Sequence, residues 1–334
     1  MIMTASERIR NFIAGKPVDR LPVIEWATWW HLTIERWRTE GLPAHLKKDY
    51  QIHEHFGLDE CLQTWVPTRE KNCPSEKHFG EGIIKNREDY LALKPYLYPD
   101  PTKVYNKNYF DEFNREVQKG TALSFFTVDG FFMFARGLFG IENHFYSFFD
   151  QAELLKELSE DYMQHQLKVF EFLNNEFSYD FMTFAEDMSY NHGPMISKDL
   201  FDEFLAPYYN IVIPQLKKMN IPALVDSDGD ITEAVDWYAE VGADGMFPLE
   251  KQAGTNVAKC IEKQPQMTFM GHFDKLCMKY GEEAMRAEFE RVLPLAKKGK
   301  LIISCDHQTP PDVSYETYKI YVKLFKEYAQ KIKD

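Results

Sequence analysis

ALVDSDGD (223–230), DGMFPLE (244–250), MTFMGHFD (267–274) and LIISCDH (301–307) are four short apolar runs, each ending in groups able to bind a metal or move a proton. Helical pattern separates each run from the next, so the repeating unit is strand, polar tip, helix. A strand buried on both faces reads as a continuous apolar run, the mark of a parallel sheet covered by helices. In such sheets the functional side chains gather at the carboxyl ends of the strands. Asp226, Asp228, Glu250, His272, Cys305 and His307 all stand at such ends.

Working outward, four further strands are expected in DRLPVIEWATWW (19–30), GLDECLQTWVP (57–67), TALSFFTVDG (121–130) and SYDFMTFAEDM (178–188). Helical patterns at 4–17, 30–40, 44–56, 107–119, 151–177 and 197–219 fill most of the intervals. Eight strands, most followed by a helix, point to an α/β protein with a (β/α)8 TIM barrel. A doubly wound open sheet is the alternative, but neither GxGxxG nor GxxxxGK[ST] follows any strand. The polar, Pro-rich stretch 68–104, with a hairpin expected near HFGEGIIKN (78–86), reads as a lid or insertion. One domain spanning 1–334, with elaborated N-terminal loops, is the expected organisation.

A hydrophobic content of 44% supports a large core, and mean hydropathy is −0.45. No apolar run reaches the about 18 residues that a membrane span requires. The formal net charge of −13 comes without a basic stripe, which speaks against nucleic acid as a partner. The five cysteines lack CxxC spacing and are too sparse for a disulfide framework, so a reducing, cytoplasmic setting is expected.

PVDRLPV (17–23), ISKDLFDEFLAPYYNIVIPQLK (196–217) and the strand-end set together resemble the uroporphyrinogen decarboxylase superfamily. The resemblance implies a (β/α)8 fold and one of two chemistries: metal-free decarboxylation of a porphyrinogen, or zinc-dependent methyl transfer involving a corrinoid protein or a thiol. Where decarboxylases of that superfamily carry an arginine-bearing motif after the first strand, this chain reads EWATWW (25–30). A polycarboxylate would meet an aromatic, acid-bearing wall there, so the resemblance is closer to the methyltransferase, O-demethylase-like branch. That branch's HxC pair aligns with Asp226 and Asp228, while its glutamate and late cysteine align with Glu250 and Cys305.

Catalytic zinc takes three protein ligands and leaves a position for substrate. Glu250, His272 and Cys305, on three successive strand ends, are the expected ligands. Asp226 is read as facing the mouth, on the opposite side of its strand from Asp228; capping of a helix near Asp230 competes with function for the latter. Glu186 and His307 are further proton-transfer candidates. Glu186 and Asp187 are adjacent, so only one is expected to point inward. Glu25, Trp26, Trp29, Phe132, Asp187 and Tyr190 are expected to form a substrate slot for a planar group.

The implied activity is O-demethylation of a small, aromatic methyl ether, with Zn2+ in the site and the methyl group passing to cobalamin on a corrinoid partner protein. Two alternatives stay open: methylation of a thiol from a methyl-corrinoid, and a metal-free decarboxylase or lyase acting on a small acid. No membrane partner is expected, and a homodimer is allowed.

Overall fold

The computed structural model describes residues 3–105 and 107–333. Their strands are β1 (Glu60–Trp65), β2 (Ala122–Asp129), β3 (Phe181–Ala185), β4 (Ser189–Tyr190), β5 (Gly193–Pro194), β6 (Ala223–Asp226), β7 (Gly245–Phe247), β8 (Thr268–Phe273) and β9 (Leu301–Cys305). Seven form one sheet in the order β1-β2-β3-β6-β7-β8-β9, and β4 pairs only with β5. Every ladder in the large sheet is parallel. Its strands are almost wholly buried, as the continuous apolar runs require. The architecture is a TIM-barrel-like α/β fold.

The strand expected at 19–30 does not form a regular ladder. Leu21, Val23 and Ile24 are buried where that strand belongs, between β9 and β1. The Val23 carbonyl accepts the Asp59 N–H at 2.9 Å, and the Val23 N–H donates to the Asp59 carboxylate at 2.8 Å. From the other side, the Ser304 hydroxyl donates to the Ile24 carbonyl at 2.6 Å. Pro22 has no N–H to offer a ladder, so side chains supply much of the pairing. Arg8 and Arg20 hold Asp59 in place for that role.

The helices begin where the sequence places caps. Thr4 closes a capping box on Ala5–Ile13. The helix expected across 197–219 is two: Lys198–Phe204, capped by Ser197, and Ala206–Lys218, restarted with Pro207 in its first turn. In the 78–86 region, a lone bridge from Glu81 to Gly140 replaces the expected hairpin. Asn86 caps a helix at Arg87–Leu93 immediately afterwards, and Ile84 and Tyr90 are fully buried despite the polar surroundings. No described helix is long and apolar enough to cross a membrane.

Candidate active site

Ala185 at the end of β3 lies opposite Asp226 at the end of β6, so the loops leaving these strands share one stretch of rim. The two acids after β3 part there. Glu186 turns beneath the rim, where one oxygen accepts the hydroxyls of Tyr209 at 2.7 Å and Tyr238 at 3.3 Å. Its other oxygen accepts the N–H groups of Phe132 and Met133, at the start of helix Phe131–Phe139. Gly130 permits this approach, since a Cβ there would stand 1.6 Å from the Glu186 carboxylate. Burial pushes the Glu186 carboxyl up to about 7, against the pull of those donors. Asp187 takes the left-handed conformation, φ 44°, a strain that aspartate tolerates better than most residues. Its side chain lines the cavity at the mouth and Glu186 does not.

Asp187, Asp226 and Asp228 offer oxygens that all lie within 4.8 Å of one another. Asp226 ends β6 and Asp228 lies in the loop just beyond it, and both line the mouth together and not on opposite sides. Helix Ala234–Glu240 has no side-chain cap, and Asp230 instead turns the loop before it by accepting the Thr232 N–H at 2.9 Å. Gly229 fixes this loop: its φ is 87°, and a Cβ would meet the Tyr190 backbone nitrogen at 2.5 Å.

Two members of the trio have cationic neighbours. The His307 Nε2 stands 3.6 Å from an Asp228 oxygen, and that pairing raises the histidine pKa. Arg136 lies 3.7 Å from the Asp187 carboxylate and donates to its carbonyl at 3.1 Å. The Asp226 carboxyl accepts no hydrogen bond from any described residue. Burial first, then the charges of Asp187, Asp228 and Glu250, push its pKa well above the usual aspartate value. Asp226 is therefore a carboxyl at this mouth that favours its protonated form.

The cavity they face has a volume of about 430 Å³. Trp26, Phe125, Met133 and Phe247 give it apolar walls, and Trp26 meets Phe247 edge-on at 4.9 Å. The Trp26 Nε1–H donates to the Cys305 carbonyl at 3.2 Å, which orients the indole. Asp129, Gln63, Trp65 and Arg136 also belong to this region and are not singled out by the sequence reading. Asp129 had a signal: it ends β2 as Asp226 ends β6, and burial pushes it up to about 6.

The expected zinc ligands do not converge. The His272 Nδ1 lies 3.0 Å from the Leu249 carbonyl, and the Nε2 accepts from Arg291 at 3.0 Å. Both ring nitrogens are therefore engaged, and Arg291 reaches across from helix Glu282–Lys298. Cys305 is buried beneath Trp26, its thiol pKa raised by burial and by the Glu25 and Asp306 charges. Glu250 accepts the Gly229 N–H at 2.9 Å and lies 3.9 Å from Lys275, so it ties neighbouring loops together. A thiol that resists ionisation and an imidazole without a free lone pair do not make a zinc site. Among the described residues, the one group placed to converge on an ion is Asp187, Asp226 and Asp228, an all-oxygen set that suits hard cations better than zinc.

The expected slot also needs correction. Trp26 and Asp187 line the cavity, but Glu25, Trp29, Phe132 and Tyr190 do not. Glu25 is sealed in the core against the Tyr321 hydroxyl at 2.8 Å, and burial pushes it up to about 7. Trp29 packs among Trp37, His53 and Tyr318, and Phe132 packs against His144. Tyr190 is half exposed on the β4–β5 hairpin. Their places after strand tips put these side chains at the rim, whereas the irregular 21–30 segment carries Glu25 and Trp29 inward, the helix start after β2 carries Phe132 inward, and Tyr190 stands outward on its hairpin.

Residues 181–328 match the uroporphyrinogen decarboxylase (URO-D) family. The resemblance to that superfamily stands. The matched span runs from β3 to the last long helix, Tyr315–Gln330, and so contains Asp187, Asp226, Asp228 and His307. A methyltransferase from Methanosarcina mazei has the same fold, with a TM-score of 0.69 and 15% identity over 98% of this chain and 99% of that one. A B12-independent methionine synthase from Shewanella sp. W3-18-1 aligns over 67% of this chain and 66% of that one, with 9% identity and a TM-score of 0.40. No curated protein matches the sequence.

Proposed function

We propose that this chain is a methyltransferase that removes a methyl group from a small methyl ether with a planar apolar body. The observation that carries the reading is the Asp226 carboxyl, without a hydrogen-bond partner and held between Asp187 and Asp228 at the mouth of an aromatic cavity. Breaking an O–CH3 bond leaves the electron pair on oxygen, and a neutral acid beside that oxygen delivers the proton that makes it a hydroxyl. Asp187 and Asp228 keep the proton on Asp226 until then. His307, whose hold on a proton is strengthened by its pairing with Asp228, is placed to restore it. The methyl acceptor is a reduced corrinoid presented by a partner protein, which supplies the nucleophile. A fold shared with a protein described as a methyltransferase agrees with this reading.

A metal-free lyase acting on a small acid is the second reading, and the same protonated Asp226 favours it. The cavity acids Asp49, Asp129, Asp187 and Asp228 oppose it by repelling a carboxylate substrate. The deciding experiment incubates the protein with methoxylated phenols and free reduced corrinoid, and follows phenol formation beside methylation of the corrinoid. Stoichiometric appearance of both supports demethylation. No methyl transfer, with carbon dioxide released from an aryl carboxylate, would replace it with the lyase.

A further inference from the structure

A second cavity, of about 340 Å³, opens beside the carboxylates. Trp26, Thr28, Asp49, Gln63, Trp65 and Phe125 line both cavities, so they are compartments of a single cleft with a shared neck. The second compartment lies between β1, helix Asp49–Phe56 and helix Lys107–Gln118. Leu62, Tyr109 and Phe113 give it apolar walls. We propose that it is the recognition subsite for the body of the substrate, and that it takes a single planar ring bearing a neutral hydrogen-bond donor, with His53 as the acceptor.

The tautomer of His53 carries the argument. Its Nε2 lies 3.3 Å from the Glu25 carbonyl, which can only accept, so Nε2 holds the proton. Nδ1 is then a bare lone pair, and it has no partner although His53 is fully buried and lines the compartment. Burial pushes the histidine down to about 4, so the ring is neutral at physiological pH. A buried acceptor without a donor is costly, and a ligand that brings a donor recovers that cost on binding. Two donors on the compartment wall are committed elsewhere: the Cys61 thiol lies 3.7 Å from the Asp59 carbonyl, and the Gln63 amide donates to Thr127 at 2.8 Å. Asp49, Glu112 and Glu116 outnumber Lys48 on the compartment wall, and this disfavours an anionic group. A phenol hydroxyl or an aniline N–H meets both demands.

The methyl-transfer reading supplies only the direction, with the methoxy group toward Asp226 and the donor toward His53. Trp26 and Trp65 at the neck report binding directly through their fluorescence. Full-length protein is titrated with para-methoxyphenol and with para-dimethoxybenzene, which lacks the donor. The parent should bind the phenol about tenfold more tightly, and His53→Phe should bring the two within about twofold by weakening the phenol alone. Gln63→Trp, at an exposed position of the neck, should weaken both ligands and keeps the test open if His53→Phe does not fold. An unchanged preference in His53→Phe, or unchanged affinities in Gln63→Trp, overturns the subsite. No turnover is involved. Loss of methyl transfer with the ligand preference intact would therefore remove the proposed activity and leave the subsite standing.

Discussion

The rim above β3 and β6 and the rim above β8 and β9 are built from the same kinds of residue, but their polar atoms are satisfied differently. Above β8 and β9, His272 and the neighbouring acids have been taken up by the fold. His272 spends both nitrogens on Leu249 and Arg291, Glu250 bonds Gly229, and Asp306 accepts from the backbones of Lys251 and Lys275. Above β3 and β6, Asp187, Asp226 and Asp228 crowd together beside a cavity, and the Asp226 carboxyl is left unbonded. Like charges held within a few ångströms oppose folding, so such a cluster persists where chemistry uses it. Position at a strand end selects candidates; unsatisfied capacity selects among them.

The largest expected effect comes from Asp226→Asn, which keeps the shape and removes the proton. Methyl transfer should fall about a thousandfold, as expected for loss of a general acid, with the melting temperature unchanged or raised by relief of repulsion. A variant with full activity would break the distinction between the two rims at its stronger side.

Glu186→Gln sharpens the same contrast within one loop. Its carboxyl is raised from 4.5 to about 7 by burial, so the folded state binds this proton more tightly than the unfolded chain. The stability it contributes is fully present below about pH 4.5 and is lost as pH rises through about 7. Compared with the variant, the parent should lose about 3 kcal/mol of unfolding free energy between pH 4.5 and 8, read from denaturant midpoints at each pH. Catalysis should persist in the variant, because Glu186 holds a helix start and does not line the cavity.

His272→Ala should cost about 2 kcal/mol, because a buried imidazole and its bonds to Leu249 and Arg291 are lost, with no change in divalent-ion content by elemental analysis. Cys305→Ser, which buries a hydroxyl in place of a thiol, should cost about 1 kcal/mol and be equally silent in metal content and methyl transfer. Loss of bound zinc in either variant would return the metal to the β8–β9 rim.

Much of the scaffold was legible because buried parallel strands leave continuous apolar runs, and seven of the eight expected strands lie within their predicted limits. The first was not, since Pro22 and the Asp59 side chain replace a ladder with contacts that no periodicity encodes. At the site, strand-end logic found Asp226, Asp228 and His307. It could not tell Glu186 from Asp187, because that choice depends on Gly130 leaving room and on a left-handed turn. It also misjudged His272, whose partner Arg291 lies nineteen residues away on a helix. His53 gave no sequence signal at all; its unpaired nitrogen is a property of the packed structure.

The most direct test is a titration of the site's carboxyls by carbon-13 NMR in aspartate-labelled protein freed of metal with a chelator. Burial raises Asp129 and Asp306 to about 6, and beside them the account predicts a further resonance raised well above the usual aspartate range, absent in Asp226→Asn and shifted toward normal in Asp187→Asn. If every aspartate at the mouth titrates near its ordinary value of 3.8, Asp226 is not the acid and the central claim fails.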